Sequence, residues 1–220
     1  MVNKRICNFF LILLGSMQSF AQVAVKDEPR HYPIIVNQFL RVLDVWIPPG
    51  DTTLFHIHAT PSLFLQFTNT HTATQIKDST WDNKGISIKG RAYYEDFSTI
   101  RVHRVSNQDK NSFHVTDIEI LSAFQPNDNR KPLPFTLLFD NDKAFAYRIT
   151  VLDHSRTVFQ HRGPIIAAMV EGKTIFLHEE GEQRDREIST GKFAYIKPGN
   201  SFYLWSDVKQ ELNLVLFELK

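Results

Sequence analysis

Apolar residues along this chain recur in short runs or in alternation, and no stretch carries a sustained amphipathic helical period. Such runs fall at 39–47, 53–58, 63–67, 86–88, 99–105 and 113–121. They resume at 135–139, 145–152, 165–170, 173–177, 192–196, 202–205 and 212–219. Turn-forming residues punctuate them at Pro48-Pro49-Gly50, Asp82-Asn83-Lys84-Gly85, 107–111 and Pro198-Gly199-Asn200. Many short strands at this spacing predict an all-β sandwich or barrel rather than βαβ units. The polar, proline-rich segment 123–134 reads as a linker between two β units at 39–122 and 135–220, and 22–38 as an extended N-terminal arm.

A weak internal repeat supports that division. His58-Ala59-Thr60-Pro61 is echoed by His161-Arg162-Gly163-Pro164, and each is followed by an apolar strand, 63–67 in one half and 165–170 in the other.

The first residues read as an address. Lys4 and Arg5 precede an almost wholly apolar run at 6–14, and Ser19-Phe20-Ala21 supplies a small-x-small ending. This is the layout of a secretory signal peptide cleaved after Ala21, and it predicts a secreted or periplasmic protein. The apolar run is too short to span a bilayer, so no integral membrane segment is expected after cleavage. Cleavage would remove Lys4, Arg5 and the single cysteine, Cys7, and would move the formal charge from +1 to −1. Disulfides, thiolate nucleophiles and zinc–sulfur sites are then excluded together, leaving His, Asp and Glu as the strong metal ligands. Lys plus Arg number 25 against 24 for Asp plus Glu, so no charge excess points to nucleic acid.

The histidines carry the candidate chemistry. His56 and His58 stand two apart on a predicted strand, so both imidazoles project from one face, together with Leu54. Two rings on one rigid strand suit chelation; the same spacing also fits a solvated or core-edge pair. His103, on a face with Arg101 and Val105, offers a third inward imidazole.

These residues resemble the cupin superfamily. Gly50, five residues and then His56-Ile57-His58 match the opening of that family's first motif. His103-Arg104-Val105-Ser106-Asn107 matches the end of its second motif, in the expected order. The resemblance covers roughly 39–121 and, more loosely, 145–219. It implies two tandem jelly-roll β-barrels whose inward histidines bind a divalent metal.

Two departures qualify it. The family's metal-binding Glu would fall near Ser62 or Leu63, and no Asp or Glu lies between Thr53 and Lys77; the Pro-x-Gly turn of the second motif is missing before Arg101. The implied metal set is therefore His56, His58 and His103. Such a face is similar to that of cupin thiol dioxygenases and some other cupin dioxygenases. Three neutral ligands suit iron, zinc, nickel, manganese or copper without choosing among them.

The second half resembles a cupin without its site. Phe159 aligns with His56, His161 with His58, and Phe202 takes the place of the second-motif histidine. It is expected to be a structural barrel, and a candidate homodimer surface.

Four other residues are candidates for substrate binding. Arg101 could hold a carboxylate in bidentate fashion, Gln66 and Tyr93 could donate hydrogen bonds inside the barrel, and His114 could approach the same cavity. Asp117 and Glu119 read as a solvated strand face. No phosphate-cradling glycine loop, nucleophile elbow or His-Glu-x-x-His helix is present. The resemblance thus implies a metal-binding cupin acting on a small anionic or hydroxylated molecule, by dioxygenase-like or other metal-assisted chemistry. The alternatives are a non-catalytic small-ligand module and a purely structural protein.

Overall fold

The computed structural model describes residues 22–124 and 130–220; the predicted signal peptide and the centre of the proline-rich segment lie outside the described residues. Within them the chain is all-β apart from one turn of 3₁₀ helix at Val25–Asp27. None of their helices is long and apolar enough to cross a membrane.

Strands are numbered in chain order. The N-terminal half forms two five-stranded sheets. The first has the order β1 (Val23–Ala24), β4 (His56–His58), β9 (Arg101–Asn107), β6 (Thr70–Ile76) and β7 (Trp81–Ser87). The second runs β2 (His31–Val36), β3 (Leu40–Ile47), β10 (Phe113–Ile120), β5 (Ser62–Gln66) and β8 (Ala92–Glu95). The C-terminal half repeats the second arrangement as β11 (Thr136–Asp140), β12 (Ala144–Leu152), β18 (Gln210–Leu219), β13 (Ile165–Glu171) and β16 (Phe193–Ile196). It adds a three-stranded sheet of β15 (Arg186–Ile188), β14 (Ile175–Glu179) and β17 (Phe202–Trp205). Each half is a jelly-roll barrel of two facing sheets.

Period-2 patterning explains the layering. Leu43, Val45, Phe113 and Val115 fill the N-terminal barrel, whereas Leu63, Leu65 and Ile118 turn outward onto Ala146, Ile166, Ala168 and Phe217 of the other half. The second and third sheets therefore stack through an apolar core. Each large aliphatic side chain buried there contributes on the order of 1.5–3 kcal/mol.

Several predicted boundaries change. The segment 22–38, read as an arm, supplies β1 and β2; β2 pairs with β3 along His31–Val36. The segment 130–134 is pinned rather than loose: Leu133 is buried, and Arg130 donates to the Glu218 carboxylate and the Leu219 carbonyl. The expected turn at 82–85 lies inside β7, and the chain reverses instead at Asp78, which takes φ +62°. Gly85 is needed there for close approach, since a Cβ would sit 2.8 Å from the Thr72 carbonyl oxygen. Strands β6, β8 and β15 were not predicted, because their polar or short segments show little apolar alternation.

Candidate metal centre

The matched motif ends act as structural ties that set β4 beside β9. Gly50 turns the chain at φ +73°, and the Asp51 N–H donates to the Pro48 carbonyl at 3.1 Å. Asn107 is fully buried; its side-chain amide donates to the carbonyls of Ile47 (2.9 Å) and Asn111 (2.7 Å), and its backbone N–H to Asp51 (3.0 Å). With the ends fixed, antiparallel register places His56 directly opposite His103 and His58 opposite Arg101.

The three imidazoles converge. Ring centroids lie 4.6 Å apart for His56 and His103, and 5.0 Å apart for each of the other pairs. One ring nitrogen from each lies within 4.8 Å of the others. A tetrahedral ion at about 2.1 Å would hold its nitrogens about 3.4 Å apart, so small rotations close the set.

The His56 Nδ1–H can donate to the Leu54 carbonyl at 2.9 Å, directing Nε2 to the cavity. His58 Nδ1 and His103 Nε2 are buried without hydrogen-bond partners. Burial, reinforced by neighbouring rings, lowers the pKa of His56 to about 4 and of His58 to about 2, and holds His103 well below the ordinary histidine value. All three are neutral donors at physiological pH. The orphaned His103 Nε2 and the three uncharged rings fit a divalent ion.

A cavity of about 90 Å³ adjoins them, with room for an ion and several waters. Two titratable residues that the sequence did not single out for the site also line it. His31 on β2 packs edge-on against His56 at 4.9 Å; its Nδ1 lies 2.8 Å from the Val25 carbonyl oxygen, and burial lowers its pKa to about 4. Asp117 on β10, read from sequence as solvated, is only 2% exposed. Its Oδ2 lies 3.5 Å from His58 Nδ1, neither carboxylate oxygen has a hydrogen-bond partner, and burial pushes its pKa up to about 8. The available signal was the alternation Phe113-x-Val115-x-Asp117, which shares one face. It was masked because β10 is buried on both faces.

Of the predicted substrate residues, Tyr93 lines the cavity and stacks on Phe64 at 4.9 Å. Arg101 stands outside it, paired with Glu95 at 2.7 Å and with its guanidinium 5.1 Å from the centre of the Phe97 ring, which itself stacks on His58. Gln66 does not line the cavity, because its Oε1 accepts from the Ile88 N–H at 2.8 Å. His114 lies on the other face of β10, between Trp46 and Phe67, with Nε2 2.7 Å from Asp44. Leu54, expected inward, is 39% exposed because β4 begins only at His56.

The C-terminal half has an apolar counterpart. Phe159 bridges Phe202 where His56 faces His103, and His161 is exposed in a left-handed conformation at φ +53°. Register continues the match: Ser62 pairs with Glu119 as Ile165 pairs with Glu218, so Asp117 corresponds to Leu216.

No protein-family model and no curated protein matches the sequence. Solved structures do match the fold. AerE from Microcystis aeruginosa superposes with a TM-score of 0.59 at 13% identity, covering 88% of this chain and 98% of that one. A salicylate 1,2-dioxygenase variant from Pseudoaminobacter salicylatoxidans, in complex with gentisate, gives 0.58 at 11%, covering 89% and 75%. A cupin 2 conserved barrel domain protein from Leptotrichia buccalis gives 0.53 at 10%, covering 86% and 88%. These likenesses establish a shared fold.

Proposed function

We propose, from the two-barrel cupin fold of this chain, that its N-terminal barrel binds a divalent metal through His56, His58 and His103 and acts on a small anionic or hydroxylated molecule. The observation that carries this reading is the convergence of three neutral imidazoles on one cavity, with His103 Nε2 buried and without a hydrogen-bond partner. Such an ion supplies Lewis-acid or oxygen-activating chemistry, and three protein ligands leave coordination positions open.

The chain's own residues prepare the site. Burial pushes the Tyr93 hydroxyl up to about 12, so it remains a hydrogen-bond donor toward an anion. Phe97 covers His58 and limits water, while Arg101 can exchange Glu95 for a substrate carboxylate at the outer side of that ring. The dioxygenase neighbour, solved with gentisate, supports this substrate class. Iron, zinc, nickel, manganese and copper all suit the donors.

Elemental analysis of native protein tests the reading. We expect about one metal ion per chain, lost in the His56→Ala, His58→Ala double variant while the fold persists; equal metal content in the two proteins would overturn it. The same geometry would serve a second reading, a ligand-binding module without turnover, and oxygen consumption by metal-loaded protein with candidate hydroxylated acids separates the two. In the same proposal the protein is exported, its mature N-terminus at Gln22, and pairs into a homodimer through its C-terminal barrel. N-terminal sequencing of exported protein and light scattering check these points.

A further inference from the structure

We infer that Asp117 is a positioning residue for His58, holding its ring through Nδ1 so that Nε2 faces the ion; this rests on the metal reading above. Asp117 pairs in register with Leu43 of β3 and Phe64 of β5, so its carboxylate rises from an apolar floor. Of the polar groups near it, Ser62 is close enough to favour the charged carboxylate but does not offset its burial. The Ser62 hydroxyl donates to the Thr60 carbonyl at 3.1 Å, and Arg41 pairs with Glu119 at 2.6 Å.

What faces the carboxylate is His58 Nδ1, at 3.5 Å, itself without a hydrogen-bond partner. Burying two such groups unpaired is costly, and a barrel of this shape does not require it. At the matching position the C-terminal barrel carries Leu216, fully buried in its core. The pair has a purpose if His58 gives electron density to a cation through its other nitrogen. Its Nδ1–H then donates to a carboxylate, which fixes the ring and strengthens the ligand. His56 has the equivalent support from the Leu54 carbonyl.

Zinc titration by calorimetry on wild type, Asp117→Asn and Asp117→Leu tests this, alongside urea unfolding of the same proteins with metal removed. We expect zinc affinity to fall roughly 10–100-fold in Asp117→Leu, and less in Asp117→Asn, whose Oδ1 still accepts. Metal-free Asp117→Leu should unfold at the same or a higher urea concentration than wild type. The cobalt(II) absorption bands of Asp117→Asn should keep their positions, as befits a residue outside the coordination sphere. Affinity within twofold of wild type in both variants would overturn the positioning role and leave the metal reading standing. Band shifts that report a lost ligand would overturn it too, by making Asp117 a direct donor. A wild type that takes up no zinc, cobalt or other divalent ion would remove both.

Discussion

Where β4 sets His56 against His103, the C-terminal barrel sets Phe159 against Phe202; where β10 carries Asp117 beside them, β18 carries Leu216. The strand order of the sheet beneath is the same in both halves. One interior is filled with apolar side chains, with a cavity of about 290 Å³ opening beside Phe159, and the other keeps three converging rings and an unpaired carboxylate around a cavity of about 90 Å³. The fold therefore tolerates an apolar centre. The polar groups of the N-terminal barrel are destabilising in isolation, a cost that the proposed metal would offset.

Exchanging the two interiors should break this contrast most forcefully. Leu216→Asp would bury a carboxylate with no imidazole to meet it, since His161 is turned out to solvent. A loss of about 3–5 kcal/mol is expected in urea unfolding. Phe202→Ala should cost a similar 3–5 kcal/mol through the cavity it leaves, whereas His103→Ala in metal-free protein should cost less than about 1 kcal/mol. Equal losses at Phe202 and His103 would mean that both barrels depend on their central residues for packing alone.

Acidity should separate the halves next, because the titrating groups lie in the N-terminal cavity. His31 and His56 have folded pKa values of about 4 and His58 about 2, against 6.5 unfolded. Below pH 6.5 the unfolded chain takes up protons that the folded chain refuses. Stability of metal-free protein should therefore fall as pH drops through 6.5 toward 4, and further for His58. Asp117 works oppositely. With a folded pKa of about 8 against 3.8 unfolded, it weakens the fold as pH rises through that interval. Three or more histidines outweigh one carboxyl below pH 6.5, and Asp117 acts without them from there to about 8. Stability should peak near pH 6.5, and Asp117→Asn should remove the alkaline decline. Denaturation with chelator at pH 5, 6.5 and 8 checks both limbs; an unchanged alkaline limb in that variant would assign the decline elsewhere.

The legible and illegible parts of the chain divide along the same line. Alternating apolar strands such as Leu40–Ile47 and Gln210–Leu219 announced themselves, and the His-x-His spacing put two rings on one face because strand geometry leaves no alternative. The alignment of Phe159 and Phe202 with His56 and His103 was also readable, since a repeat preserves register. Asp117 was not, because a strand buried on both faces has no polar side to betray which face a carboxylate occupies. His114 was only a candidate for the cavity, and its neighbours Ile118 and Ile120 face the core between the barrels. His31 lay in a segment with no strand signal, ordered by pairing with β3.

The gentlest test concerns His58 and its counterpart His161. His58 holds an extended conformation with its ring buried; His161 sits at φ +53°, where a side chain other than glycine is strained, and its ring is exposed. His161→Gly should relieve that strain, partly offset by the larger unfolded-state entropy of glycine, for a net gain of up to about 0.5–1 kcal/mol. Metal content should not change. His58→Gly, by contrast, removes one of the three converging imidazoles from a regular strand and, on the proposed metal site, should lower both metal content and stability. If His161→Gly were destabilising by more than 1 kcal/mol, its imidazole would have a role beyond a solvent-facing turn, and the contrast between the two barrels would be smaller than their central residues suggest.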